Sequence, residues 1–197
     1  MHVPLLRELF PTARFIHIIR DVRDYCLSIN KAWGKNMIRA AQRWCDDVQK
    51  FKLECCNLGD AYIEVKFEGL ITEPELTLKK ICNFLEIEFQ TQMLSLAKPS
   101  ENLGDAKGLK TIKKDNHHKY PYLMNPDLCR KLEMITAHIL RSYEYAVDYS
   151  GNRKKVNKVK LLGYKILDGI NLLIFDIREY NFLKGVKRSL NYYRMKR

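Results

Sequence analysis

Two residues offer chemistry first: Arg20, a guanidinium that closes an apolar run, and Ser28, a hydroxyl eight positions later in a helical pattern. The run Arg14-Phe15-Ile16-His17-Ile18-Ile19 has almost no polar relief and follows the turn signal Pro11-Thr12. It reads as a strand buried on both faces of a parallel sheet. Asp21 or Asp24 can cap the helix that follows, which predicts Arg20 at the strand's carboxyl end and Ser28 about one turn into the helix. Open α/β sheets bind ligands at that end. A guanidinium, a hydroxyl and free helix N-terminal amides converging there would suit a phosphate. The competing reading pairs Arg20 with Asp24 and lets Ser28 bond back within its own helix. Arg23 is open in the same way, between pairing with Asp24 or Asp47 and a place at the phosphate rim.

Other groups carry less. The histidines at 2, 17, 117, 118 and 138 have no metal-ligand spacing, and no cysteine pair has zinc-finger spacing, so no metal is expected. His17, in mid-strand, reads as a satisfied core residue. Glu68, beside a strand end, could do acid–base work only if buried against the site.

These groups need elements to position them. A short helix at 2–9 leads to the first strand at about 14–20, and the helix near Asp24 runs until Trp33-Gly34. A longer helix over about Met37–Cys56 places Ala41, Trp44, Val48, Phe51 and Cys55 on one stripe toward the sheet. Tyr62–Phe67 is a second strand, and the long crossover between the two implies parallel pairing with a right-handed connection. Thr72-Glu73-Pro74-Glu75 resembles a capping box opening a helix to about Leu85, with Leu78, Ile81, Cys82 and Leu85 inward. Gln90–Leu96 suggests another short helix. Residues 98–125 lack periodicity and carry Pro99, Gly104, Gly108 and Pro121, and a helix from Asn125 to about Ser142 follows. Only two strands are convincing, too few for an independent open sheet.

The 197 residues carry a net charge of +12, unevenly placed. Residues 151–197 hold 13 Lys+Arg against 3 Asp+Glu, whereas residues 1–150 hold 22 against 20. The basic character belongs to the tail: a linker at 151–160, an amphipathic segment at about 161–183, and an end bearing Lys184, Lys187, Arg188, Tyr192, Tyr193, Arg194, Lys196 and Arg197. Charges within Leu161–Leu183 disqualify it as a plain membrane span. Such an arm fits an anionic membrane surface or an acidic glycan, with a solvated helix as the bland alternative, and no motif supports specific nucleic-acid recognition. Six cysteines without framework spacing and no evident signal peptide lead to the expectation of a cytoplasmic protein, peripheral to a membrane.

Phe10-Pro11-Thr12-Ala13-Arg14-Phe15-Ile16-His17-Ile18-Ile19-Arg20-Asp21-Val22-Arg23-Asp24 with Ser28 resembles the sulfotransferase motif FPxAxFIxIxRDxRDxxxS. Trp44, then Val65–Leu70 through Pro74, Leu78, Ile81, Phe84 and Leu85, resembles the later signature VxYExLxxxPxxxLxxIxxFL of the same family. Together the two span about residues 5–95. The resemblance implies an α/β, P-loop NTPase-like three-layer fold with a parallel sheet, a partial sulfotransferase domain over 1–150, and the basic amphipathic helical tail over 151–197. It implies 3′-phosphoadenosine 5′-phosphosulfate as sulfo donor and an acceptor hydroxyl on a carbohydrate or a tyrosine. Arg20 and Ser28 would bind the donor's 3′-phosphate, and Lys113, Lys114, Asn116 and Lys119, on the segment that closes over the nucleotide in the family, become further candidates.

Phe67 and Gly69 stand where similar members often have tyrosine and an acidic or amide residue. The family's upstream phosphate loop, with the cation that grips the 5′-phosphosulfate and the usual base, has no counterpart motif here. The chain therefore reads as N-terminally incomplete, with a missing half as partner, or as a non-catalytic nucleotide- or polyanion-binding remnant.

Overall fold

The computed structural model describes residues 3–95, 108 and 110–194. Pro99 and Gly104 of the expected loop, and Lys196 and Arg197 of the basic end, lie outside the described residues.

The chain opens with α1 (Val3–Leu9), β1 (Phe15–Ile19), α2 (Val22–Trp33) and α3 (Met37–Cys55). A 3-10 turn at Gly59–Ala61 leads into β2 (Tyr62–Lys66), which pairs parallel to β1 with Phe15 opposite Tyr62 and Ile19 opposite Lys66. Next come α4 (Phe67–Thr72), α5 (Pro74–Leu85) and a 3-10 turn at Thr91–Leu94, then α6 (Tyr120–Leu123) and α7 (Pro126–Ser142). The chain continues through α8 (Lys158–Tyr180) and α9 (Phe182–Arg194).

The expected stripe of α3 is the centre of the core. Ala41, Trp44 and Val48 are buried with Val22, Cys26 and Ile29 of α2 and Leu132, Ile135 and Leu140 of α7. Lower on α3, Phe51 and Cys55 pack with Val3, Phe15 and Tyr62, so one helix covers one sheet face and anchors α1.

Three expectations are corrected, on the faces of β1, the turn that carries Ser28 and the box at Thr72, while of the two caps expected for α2 Asp21 is the one used. β1 is not buried on both faces: Ile16 and Ile18 are exposed, 36% and 53%. Side chains alternate along a strand, and α3 takes the face of Phe15, His17 and Ile19; Val65, the register partner of Ile18, is buried, so the other face is covered over β2 and open over β1. The helix after β1 starts at Val22, because the Asp21 side chain accepts from the Arg23 amide at 2.9 Å. Ser28 consequently lies on the second turn. No capping box forms around Thr72: β2 gives way directly to α4, and the Thr72 hydroxyl bonds back to the Glu68 carbonyl at 2.9 Å. Glu73, with Pro74 behind it, opens α5 without a side-chain cap.

The stretch expected as a linker is strapped into the groove between α3 and α7. Tyr149 donates its amide to Glu133 (2.9 Å), Lys154 to the Met134 carbonyl (2.8 Å) and Val156 to Gln42 (3.2 Å). Beyond it, α8 and α9 form a helical hairpin. A Cβ on Gly185 would stand 2.6 Å from the Asp176 carbonyl, so only glycine permits this crossing. α8 docks at the α2–α3 junction, where Asp168 accepts from the Asn36 amide (2.7 Å) and from Arg39, and Asn171 donates to the Gly34 carbonyl (2.7 Å). Gly34 has φ +61°, the left-handed conformation that ends α2.

The most demanding interior feature is Arg23, 2% exposed. Its Nε and Nη2 donate to the two Asp21 oxygens at 2.9 and 2.6 Å, and Nη1 donates to Glu133 at 2.6 Å. Removing the guanidinium would leave the Asp21 and Glu133 carboxylates buried without their shared counter-charge. Arg23→Ala should therefore cost about 3–5 kcal/mol in urea unfolding. Arg43→Ala, which breaks an exposed pair with Asp47, should cost about 1 kcal/mol or less. Equal small losses would contradict the assignment.

Candidate functional site at the end of the first strand

Arg20 follows β1 and is held from two directions. Its guanidinium lies over the Phe67 ring, 4.3 Å from the centroid, and its Nη2 donates to the Asn116 carbonyl at 2.9 Å. Phe67 is where β2 becomes α4, so the parallel register of the strands sets this stack. Lys119 donates from Nζ to the Asn116 side-chain oxygen at 2.9 Å. Arg20, Asn116 and Lys119, up to 99 residues apart in sequence, thus converge at one place.

Asp24 explains how the loop reaches there. The residue is 2% exposed, and its Oδ1 accepts from the amides of Lys119 and Tyr120, both at 2.9 Å. A carboxylate on the first turn of α2 therefore caps the start of α6 and fixes the segment before it against the strand end. Neither competing reading for Arg20 includes this, since Asp24 bonds the loop backbone. Ser28 sits one turn beyond Asp24 on the same helical face and is exposed.

The remaining candidates fall elsewhere. Arg23 is in the interior, with Tyr120 stacked 3.9 Å over its guanidinium. Burial works against its charge, but Asp21 and Glu133 outweigh it and raise its pKa further. Its geometry is that of a positioning group. The Lys113 carbonyl accepts from the Asn116 amide in the turn that presents Asn116 (3.1 Å). Lys114 lines a separate cleft of about 440 Å³ with Glu73, Glu75 and Lys79. Glu68 uses both oxygens structurally, accepting from the Asp21 amide (3.0 Å) and the Tyr145 hydroxyl (2.8 Å). Gly69 leaves its Cβ position 3.2 Å from the Thr77 hydroxyl.

Two further clusters join residues distant in sequence, and the first satisfies His17 as expected of a core residue. Glu64 Oε1 accepts from Tyr62 (2.5 Å) and Tyr143 (2.6 Å) and contacts His17 Nδ1 (3.2 Å). Cys45 lies 3.8 Å from His138 and accepts from Arg153 at 3.2 Å. Burial pushes the Cys45 thiol up to about 11 despite Arg153, which disfavours the thiolate there. Among the described residues no group of three or more His, Cys, Asp or Glu is placed to hold a metal ion.

Residues 1–91 match the model of the Sulfotransferase family. Over these residues the chain is similar to the sulfotransferase family. A Caenorhabditis elegans protein named "Putative protein-tyrosine sulfotransferase" is 33% identical over 99 residues, covering 47% of this chain and 38% of that protein. A Caenorhabditis briggsae protein of the same name is 29% identical over 102 residues, covering 47% and 35%. The chain thus spans little more than a third of the curated relatives it matches. The sulfotransferase domain from the curacin biosynthetic pathway superposes with a TM-score of 0.58 at 18% identity, over 74% of this chain and 58% of that one. The fold is therefore that of a sulfotransferase domain. The site cluster has Arg20 and Phe67 inside the matched segment and Asn116 and Lys119 outside it.

The Glu64 cluster makes stability depend on pH. Burial lowers the pKa of His17 from 6.5, with Glu64 opposing only in part. Burial alone would raise Glu64, but hydrogen bonds from Tyr143, Tyr62 and His17 outweigh it and lower its pKa from 4.5. In both cases the unfolded chain takes up the proton first as pH falls, so stability present above the unfolded values is lost on acidification. The urea midpoint should begin to fall below about pH 6.5 and fall again below about pH 4.5. A midpoint that stays level down to pH 4 would refute this.

Proposed function

We propose that this chain supplies the 3′-phosphate end of the site for 3′-phosphoadenosine 5′-phosphosulfate, for sulfo transfer to an acceptor hydroxyl. The observation that carries the reading is the meeting of Arg20, Asn116 and Lys119 at the carboxyl end of β1, beside the N-terminus of α2. A phosphate monoester carries about two negative charges near neutral pH. The Arg20 fork and the Lys119 ammonium supply positive charge of opposite geometry, one planar and one compact, and Ser28 a neutral donor. Phe67 holds the guanidinium plane from below, which restricts the directions in which the fork can point.

In the transfer, the acceptor oxygen bonds to sulfur as the bond from sulfur to the 5′-phosphate oxygen breaks, and the acceptor's proton leaves to a base. Arg20, Ser28 and Lys119 hold and orient at the far end of the donor. The proposal places the cation that grips the sulfonate, and the base, on a companion segment, because these residues carry no motif for either. Of the two acceptors expected, tyrosine is favoured by the names of both nematode relatives.

The test is calorimetric titration of adenosine 3′,5′-bisphosphate into the wild type and the Arg20→Ala, Lys119→Ala, Ser28→Ala and Lys114→Ala variants. Hydrogen bonds to charged groups contribute about 1.5–3 kcal/mol, so Arg20→Ala should weaken binding about tenfold or more. Lys119→Ala should weaken it less, Ser28→Ala by a few-fold, and Lys114→Ala, in its separate cleft, should leave it unchanged. Equal affinity in wild type, Arg20→Ala and Lys119→Ala would overturn the reading.

A further inference from the structure

The outer face of α8 carries a second feature, independent of the donor site. Leu162, Ile166, Ile170 and Ile174 repeat every four residues, and Val159 and Leu167 flank them. All six are exposed, from 42% at Ile174 to 76% at Val159. An apolar stripe along a helix ordinarily faces a core. Here the core side is occupied by different residues. Asp168 lies two positions from both Ile166 and Ile170, about 200° around the helix. It is buried against Arg39 and the Asn36 amide, so docking on the α2–α3 junction fixes the stripe outward.

The charges are sorted by the same rotation. Residues 151–197 contain three acidic residues, and two of them, Asp168 and Asp176, are buried in ion pairs with Arg39 and Arg188. Lys158, Lys160, Lys165, Lys184 and Lys187 are exposed. Two of the three acids are turned inward and Glu179 is exposed, while cations and aliphatic side chains meet solvent together. The hairpin tip adds Phe182 and Leu183, 66% and 82% exposed.

From this sorting we infer that the α8–α9 hairpin binds an anionic lipid bilayer, lying in its interface with the Leu162–Ile174 stripe turned to the acyl boundary and the lysines at the headgroups. Apolar area and cationic flanks on one surface match such an interface in both chemistry and charge. No helix among the described residues is long and apolar enough to cross a membrane, which is consistent with an element that lies on one. A second copy of the same face would share the aliphatic contact but would bring lysines against lysines. The polar clamp at Asp168 and Asn171 holds the rotation of α8 with no lipid present, so the surface is preformed.

The experiment is co-sedimentation of the full chain with phosphatidylcholine vesicles, with and without phosphatidylserine, at low and high salt. Wild type should bind the anionic vesicles at least about tenfold better than neutral ones and be released by salt. Ile166→Glu/Ile170→Glu and Lys160→Glu/Lys165→Glu should each reduce that binding at least about tenfold while leaving the affinity for adenosine 3′,5′-bisphosphate at the wild-type value. Both substitutions are on an exposed face, and far-ultraviolet dichroism checks the fold. The inference is overturned by equal partitioning onto neutral and anionic vesicles, by no partitioning, or by unchanged partitioning of the variants. Concentration-dependent self-association in sedimentation velocity, abolished by Ile166→Glu/Ile170→Glu without any vesicle binding, would assign the face to a second copy instead. Because nucleotide binding is read separately, failure here and failure of the donor-site reading are distinguishable.

Discussion

A guanidinium with almost no access to water imposes the tightest constraint on this chain. Arg23 must keep Asp21 and Glu133 beside it, because an isolated buried charge is far more costly than a paired one. Each partner has a second duty. Asp21 caps α2 and receives Arg23 at once, while its own amide is held by Glu68 at the start of α4. Glu133 receives the Tyr149 amide and so fixes the strap that carries the chain from α7 toward α8. Tyr120 lies over the guanidinium and brings α6 into the same knot. The junction between β1 and α2 is thereby tied through Arg23 to α7 and α6, through the Asp21 amide to α4, and through Glu133 to the strap.

The candidate site is a consequence of that knot. Arg20 precedes Asp21 directly, so its backbone position is inherited from the cap. Asp24 follows Arg23 and is buried with it, and from there it captures the loop amides at 119 and 120. Asn116 and Lys119 reach Arg20 because the loop is pinned three residues further on. A rigid interior pair thus places three polar side chains at a strand end, the arrangement in which directed donors bind an anion best. The tail obeys the same logic at a second location, where Asp168 sets the rotation of α8 and with it everything that faces outward.

Local features of the fold were legible in the sequence, and partners distant in sequence were not. The β1 run, the α3 stripe and the start of α7 at Asn125, whose side chain accepts from the Asp127 amide at 2.9 Å, follow from period and capping chemistry, which act over a few residues. Arg20 could be singled out because a strand end followed by a capped helix is a local pattern. Its neighbours Asn116 and Lys119 could be named only through the family resemblance, since nothing local distinguishes them from solvated loop residues. Glu133 shows the limit clearly: it looks like an ordinary helical acid, and its role exists only once helices far apart in sequence pack, while Asp24, expected as a cap of α2 or a partner of an arginine, instead caps the distant α6. Ile16 and Ile18 show the reverse case, where an apolar run implies burial on two faces and the described residues cover one. The capping box at Thr72 failed because a one-turn helix at Phe67–Thr72 used the threonine hydroxyl first.

The most direct measurement is a crystal structure of the chain with adenosine 3′,5′-bisphosphate. The account places the 3′-phosphate within hydrogen-bonding distance, about 3 Å, of the Arg20 guanidinium and the Lys119 ammonium, with the Phe67 stack unchanged. A nucleotide bound away from Arg20, for example in the cavity between Tyr120 and Tyr149 beside α7, would contradict it.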